Sequence, residues 1–138
     1  MAFQLLLPMA ALVGLTFLVT LRLLAVRVAA VKQGQVHMSY FRALQGEAPP
    51  EVAAAAARAL GNLFEVPPLF YVACVAVLAL GKVDSGFALL AWAFVLCRAI
   101  QALIHLSYNN VNHRLAAYFA GWLALLGLWG RLLMVVAG

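Results

Sequence analysis

Apolar residues run almost unbroken from Phe3 to about Val31 and return in three further blocks, with polar residues gathered in the gaps between them. The first block has its apolar centre at Leu5 to Leu24, long enough for a helix that crosses a bilayer and projects on one side. Its start lacks basic residues and no small-residue cleavage pattern follows, so a removable leader is not expected. Gly34 to Pro50 is the one sizeable polar stretch and reads as a surface loop. A second helix is predicted over 51–80, because Pro50 and Glu51 suit a first turn and the run Ala53 to Ala57 strongly favours helix. Gly81 to Ser85 makes a tight turn, a third helix covers about 86–108, Asn109 to His113 form a short connection, and a fourth helix covers about 114–136. The pattern predicts an all-α integral membrane four-helix bundle in which one domain takes up residues 1–138. Pro67 and Pro68 fall inside the second helix and should kink it, since each removes a backbone donor.

Composition strengthens this reading: 67% of residues are hydrophobic and 9% charged, far from the balance of a soluble domain. Cys74 and Cys97 lie in apolar stretches with no CxxC or metal-ligand spacing, so they are expected to pack, and no metal is expected. Trp92, Trp122 and Trp129 are expected to pack or anchor, and Gly121, Gly127 and Gly130 allow close helix contacts. The net charge of +5 would suggest nucleic acid in a soluble protein, but here the basic residues lie mainly at helix ends. Arg27, Lys32 and Arg42 flank the first loop and Arg114 the third connection, against Lys82 and Arg131 opposite. The positive-inside rule then puts the first and third loops in the cytoplasm and both termini outside. Minimal loops suggest a bacterial inner membrane.

Two polar clusters break the apolar pattern. Arg58, Asn62 and Glu65 are spaced four and three, which brings them onto one helical face. Arg98, Gln101 and His105 are spaced three and four on the next helix, followed by Tyr108, Asn109, Asn112 and Arg114. Such residues at bilayer depth are costly, so they either satisfy one another across the bundle or receive a polar ligand. Three arginines against one carboxylate leave an excess of positive charge, which favours an anion. Both clusters lean to the side of the first and third loops, and no continuous polar route crosses the chain, which disfavours a transporter.

The segment Arg58-Ala-Leu-Gly-Asn62-Leu-Phe-Glu65-Val-Pro-Pro68-Leu-Phe70 resembles the helix-two signature of the MAPEG family, the membrane-associated proteins in eicosanoid and glutathione metabolism. Arg98-x2-Gln101-x3-His105 is similar to the helix-three pattern of that family, and Arg114 matches an arginine that some members carry at the start of helix four. The resemblance implies a homotrimer with glutathione as co-substrate, bound between neighbouring protomers in a pocket open to the cytoplasm. Arg58, Asn62, Glu65, Arg98, Gln101 and His105 would hold glutathione, and Arg114 would stabilise its thiolate for attack on a hydrophobic electrophile or lipid hydroperoxide. Two positions depart from the pattern: Gln101 stands where His or Tyr is usual, and His105 replaces a tyrosine. Two functions follow as alternatives, a glutathione-dependent transferase or peroxidase and a non-catalytic member that binds a lipid headgroup or another anion in the same cleft.

Overall fold

In the computed structural model, which describes residues 1–138, the chain forms α1 (Phe3–Lys32), α2 (Met38–Ala43), α3 (Glu51–Glu65), α4 (Pro67–Ala79), α5 (Ser85–Leu106) and α6 (Val111–Ala137). The helices α3 and α4 follow one another as a single span, so four helical segments are long and apolar enough to cross a membrane. There are no strands, and the architecture is the all-α membrane bundle that the hydrophobic blocks predict.

The expected disruption falls at Val66, a single residue that keeps right-handed helical dihedrals at φ −95° and ψ −39° between α3 and α4. Pro67 and Pro68 occupy the first turn of α4, and Val66 separates the two helices. Without their N–H groups, the carbonyls of Leu63 and Phe64 lose their usual donors four residues on. The chain resumes through a tighter bond in which Leu69 N donates to Val66 O at 3.0 Å. A cross-helix bond strengthens this corner, where Trp129 Nε1 donates to Leu69 O at 3.3 Å.

Two loop expectations need correction. The stretch 34–50 contains the six-residue helix α2, started by His37, whose ring nitrogen accepts from Ser39 N, and closed by Leu44 in a left-handed conformation at φ 53°. The last helix starts at Val111 rather than 114, because Asn110 Oδ1 accepts from His113 N at 3.1 Å and so caps an earlier turn. Asn109 supplies the reversal before it at φ 51°, a conformation that asparagine tolerates better than most residues.

At the centre, α5 packs on α6, α1 and α3. Its buried Phe87, Ala91 and Phe94 meet Leu5, Leu12 and Val19 of α1 and Leu125 and Leu128 of α6 in one core, and Phe94 stacks on Phe70 of α4 at 4.7 Å. The outer faces remain apolar, with Phe17, Leu21, Phe64, Leu103, Phe119 and Leu123 all exposed, as a surface solvated by lipid tails requires. Core and surface are therefore equally hydrophobic, and cohesion rests on close packing.

The end of the bundle far from α2 is fastened by Asp84. One carboxylate oxygen caps α5 by accepting from Phe87 N at 3.0 Å, and the other receives Arg131 Nη2 of α6 at 2.7 Å. The Arg131 hydrogen bond, followed by that from Phe87, holds the Asp84 carboxyl below its ordinary range. The resulting stabilisation is present above that ordinary range and is lost as pH falls through the lowered folded value. Asp84→Ala is expected to lower the melting temperature by a few degrees, and Asp84→Asn, which retains the cap, by less. Thermal unfolding in detergent checks both, and equal losses would remove the cap from the explanation.

Candidate functional site

The buried polar and charged residues of the chain are Arg98, Gln101 and His105, at 1%, 6% and 3% exposure, and all three belong to one face of α5. Their spacing of three and four aligns them along the side of α5 that packs inward. The guanidinium of Arg98 lies between two aromatic faces, 5.1 Å from the ring centre of Phe94 and 5.1 Å from that of Tyr118. Its Nη1 donates to Gln101 Oε1 at 2.8 Å. Gly121 of α6 lies alongside it, and a Cβ there would stand in ordinary van der Waals contact, 3.4 Å from Nη2.

This arginine is enclosed without being neutralised. Its Nε and Nη2 have no hydrogen-bond partner, and the chain's single salt bridge is the distant Arg131–Asp84 pair. A buried cation that lacks an acid partner is costly, and aromatic faces offset only part of that cost. Unpaired donors on a buried guanidinium are a standing demand for an acceptor.

Beside it a groove of about 230 Å3 opens between three helices. Asn62 and Glu65 line it from α3, Gln101 from α5, and Arg114 and Tyr118 from α6. Arg114 is aimed by Asn109, whose Oδ1 accepts from Nη1 at 2.5 Å. The groove therefore presents a carboxylate, two amides, a phenol and a guanidinium, with Arg98 hydrogen-bonded to its Gln101 wall. That set can accept an ammonium group at Glu65 and bind carboxylate or thiolate at arginine.

The remaining predicted residues do not line it. His105 lines a second groove of about 250 Å3 with Arg22, Glu51, Tyr108 and Asn109, and neither ring nitrogen has a partner. Arg58 is exposed and lines neither groove within one chain. Glu51, expected only to complement the start of its helix, also faces this second groove.

Sequence reading missed Tyr118 and Arg22. Tyr118 stands four residues after Arg114, so their shared helix face was visible in the spacing. For Arg22 the only signal was its position as the first charge within a long apolar run. The Asp84–Arg131 contact, 47 residues apart, left no local trace.

A third groove, of about 660 Å3, faces the membrane between α1 and the broken span. Val13, Phe17, Leu63, Phe64 and Pro68 line it, and the hydroxyls of Thr16 and Thr20 turn back to carbonyls of their own helix at 2.9 and 2.8 Å. An apolar molecule dissolved in lipid meets no polar group here that lacks a partner except near Tyr71.

No curated protein and no solved structure matches the chain significantly. The sequence profile of the MAPEG family matches residues 5–134. Because that match runs through all four spans and both polar clusters, the chain belongs to the MAPEG family.

Proposed function

We propose that the protein is a glutathione-dependent membrane transferase or peroxidase, acting on hydrophobic electrophiles or lipid hydroperoxides. Membership of the MAPEG family supports a membrane glutathione-related role of this general type. The observation that carries the specific reading is the 230 Å3 groove at Arg114 and Glu65, with the unneutralised Arg98 behind its Gln101 wall. Glutathione brings two carboxylates, one ammonium group and a thiol, and these correspond to the groups the groove offers.

In this reading Glu65 takes the ammonium group, while Asn62 and Gln101 meet carboxylate oxygens, Gln101 being held from behind by the Arg98 guanidinium. The Arg114 guanidinium stands by the sulfur. A thiol of ordinary pKa, about 8.5, is mostly protonated at neutral pH, and a neighbouring arginine favours the thiolate. The thiolate sulfur then attacks the electrophile: a carbon–sulfur bond forms and the leaving group departs with its electron pair. The bilayer delivers that apolar partner, and the lipid-facing groove beside Phe64 is one port for it. Arg58 and His105 complete the site if glutathione lies between neighbouring protomers of a homotrimer, where residues that are separate within one chain come together. The first and third loops, and with them the mouth of the site, face the cytoplasm of a bacterial inner membrane.

Calorimetric titration of the detergent-purified protein with glutathione tests the reading, and no heat at millimolar concentration would overturn it. Glu65→Gln is expected to weaken binding about tenfold or more, since it removes the one carboxylate of the groove. An unchanged melting temperature in that variant separates a ligand-binding role from one in holding the bundle together. A second reading, a non-catalytic member that binds another anion, is favoured by His105, which stands at a position where the family usually has tyrosine and faces the Arg22 groove. No response to millimolar glutathione, together with binding of inorganic phosphate or a phospholipid headgroup, would select it.

A further inference from the structure

At the α2 end of the bundle, α1 outruns the membrane. Its 30 residues rise about 45 Å, against a hydrocarbon thickness of about 30 Å. With the apolar centre at Leu5 to Leu24 inside the hydrocarbon, Arg27 stands about 5 Å beyond it, at headgroup depth, and Lys32 about 8 Å further. A groove of about 380 Å3 opens at this level between the end of α1 and α2. Leu24, Val28 and Met38 form its apolar lining, Arg27 lies over the Phe41 ring at 5.2 Å from the centre, and Lys32 completes the wall.

Three independent features describe the same occupant. No carboxylate lines the groove, and neither Arg27 nor Lys32 has an acid partner anywhere in the chain. The lining is exposed, with Leu24 at 58%, Val28 at 43% and Met38 at 64%, and α2 buries no residue against the bundle. The volume falls within the roughly 300–1,000 Å3 of small-ligand clefts. An apolar trough rimmed by two free cations at headgroup depth matches a phosphodiester with an acyl chain attached. The geometry points to a binding site for one anionic phospholipid, with its phosphate between Arg27 and Lys32 and an acyl chain along Leu24, Val28 and Met38. Phe41 braces the Arg27 guanidinium from the opposite side. Filling the groove ties the otherwise unpacked α2 to α1 through the lipid. This site is separate from the Arg114 groove and stands whether or not glutathione is the ligand there.

The test is native mass spectrometry of the delipidated full chain titrated with phosphatidylglycerol, with phosphatidylcholine of the same acyl chains, and with glycerol 3-phosphate. Phosphatidylglycerol is expected to saturate at one molecule per chain and to bind at least tenfold more tightly than phosphatidylcholine. A basic group near an anionic surface contributes about fivefold, so R27Q/K32Q is expected to lose about thirtyfold. Met38→Ser, at an exposed position with both charges retained, is expected to weaken phosphatidylglycerol severalfold and serves if the double variant does not fold. Equal binding of the two lipids overturns the proposal. So do displacement by glycerol 3-phosphate as effective as by lipid, which marks a free-phosphate site, and an absence of any bound lipid, which leaves the groove to a neighbouring copy. Unchanged phosphatidylglycerol affinity in a folded R27Q/K32Q or in Met38→Ser also overturns it.

Discussion

Arg98→Met is expected to leave the bundle as stable as before, or more stable, while glutathione binding falls about tenfold. The guanidinium is 1% exposed, has two unpaired nitrogens and faces no carboxylate within salt-bridge distance. A charge in that position is a cost to folding that Phe94, Tyr118 and Gln101 only partly offset. Replacing buried ionic groups by apolar ones of similar volume is commonly neutral or stabilising by about 1–4 kcal/mol. Methionine, unbranched and flexible, can follow the path of the arginine stem between the two rings. Binding should respond in the opposite direction, because Gln101 would lose the donor that orients its amide in the groove wall and a bound anion would lose the positive charge behind that wall. Melting temperature and calorimetric affinity measured on the same sample check both halves. A large drop in melting temperature would instead make Arg98 a structural residue whose cation the fold itself requires.

Arg114→Ala is expected to reduce turnover with a model electrophile about a hundredfold while changing glutathione affinity only severalfold. The difference arises because the guanidinium interacts more strongly with a thiolate than with a thiol, so it contributes chiefly to the charged reacting form. Removing one preorganised donor from a developing anion costs about 10²–10³ in rate. A pH profile adds a second readout: with the cation gone, the apparent pKa of the bound thiol should rise, and the rate should recover as pH climbs towards 9, near the ordinary thiol value of about 8.5. Unchanged turnover, or an equal loss at every pH, would take Arg114 out of the reaction. Asn109, which holds the Arg114 side chain, should give a weaker version of the same phenotype when changed to alanine.

How much of this was legible in the sequence depended on distance along the chain. The polar triplet of α5 was readable because residues three and four apart share a face, and the structure buries all three. Asn62 and Glu65 were readable for the same reason and line the groove together. Pro67 and Pro68 marked the disruption of the second span, which falls at the single residue Val66 just before them. The caps were less visible: Asn110 starts α6 a turn early, and His37 starts α2 inside an expected loop, because a single side-chain acceptor can shift a helix end without changing the hydrophobic pattern.

By itself the sequence determined what the solvent demands. Long apolar blocks in lipid must become helices, since only helices satisfy every backbone group within one segment, and the polar residues that interrupt them must meet a partner. Which partner they meet was decided in three dimensions. That Arg98 is enclosed by Phe94 and Tyr118 without a carboxylate in salt-bridge distance, that Arg114 shares a groove with Glu65, and that His105 lines another groove with Arg22 all depend on how the helices sit against α5. In a bundle whose inside and outside are equally apolar, burial supplies no preference for one rotation of a helix over another. Close packing at positions such as Gly127, where a Cβ would stand 3.2 Å from the Leu90 side chain, and a few long-range polar contacts such as Arg131 to Asp84 set that rotation, and neither is written in any local stretch of the chain.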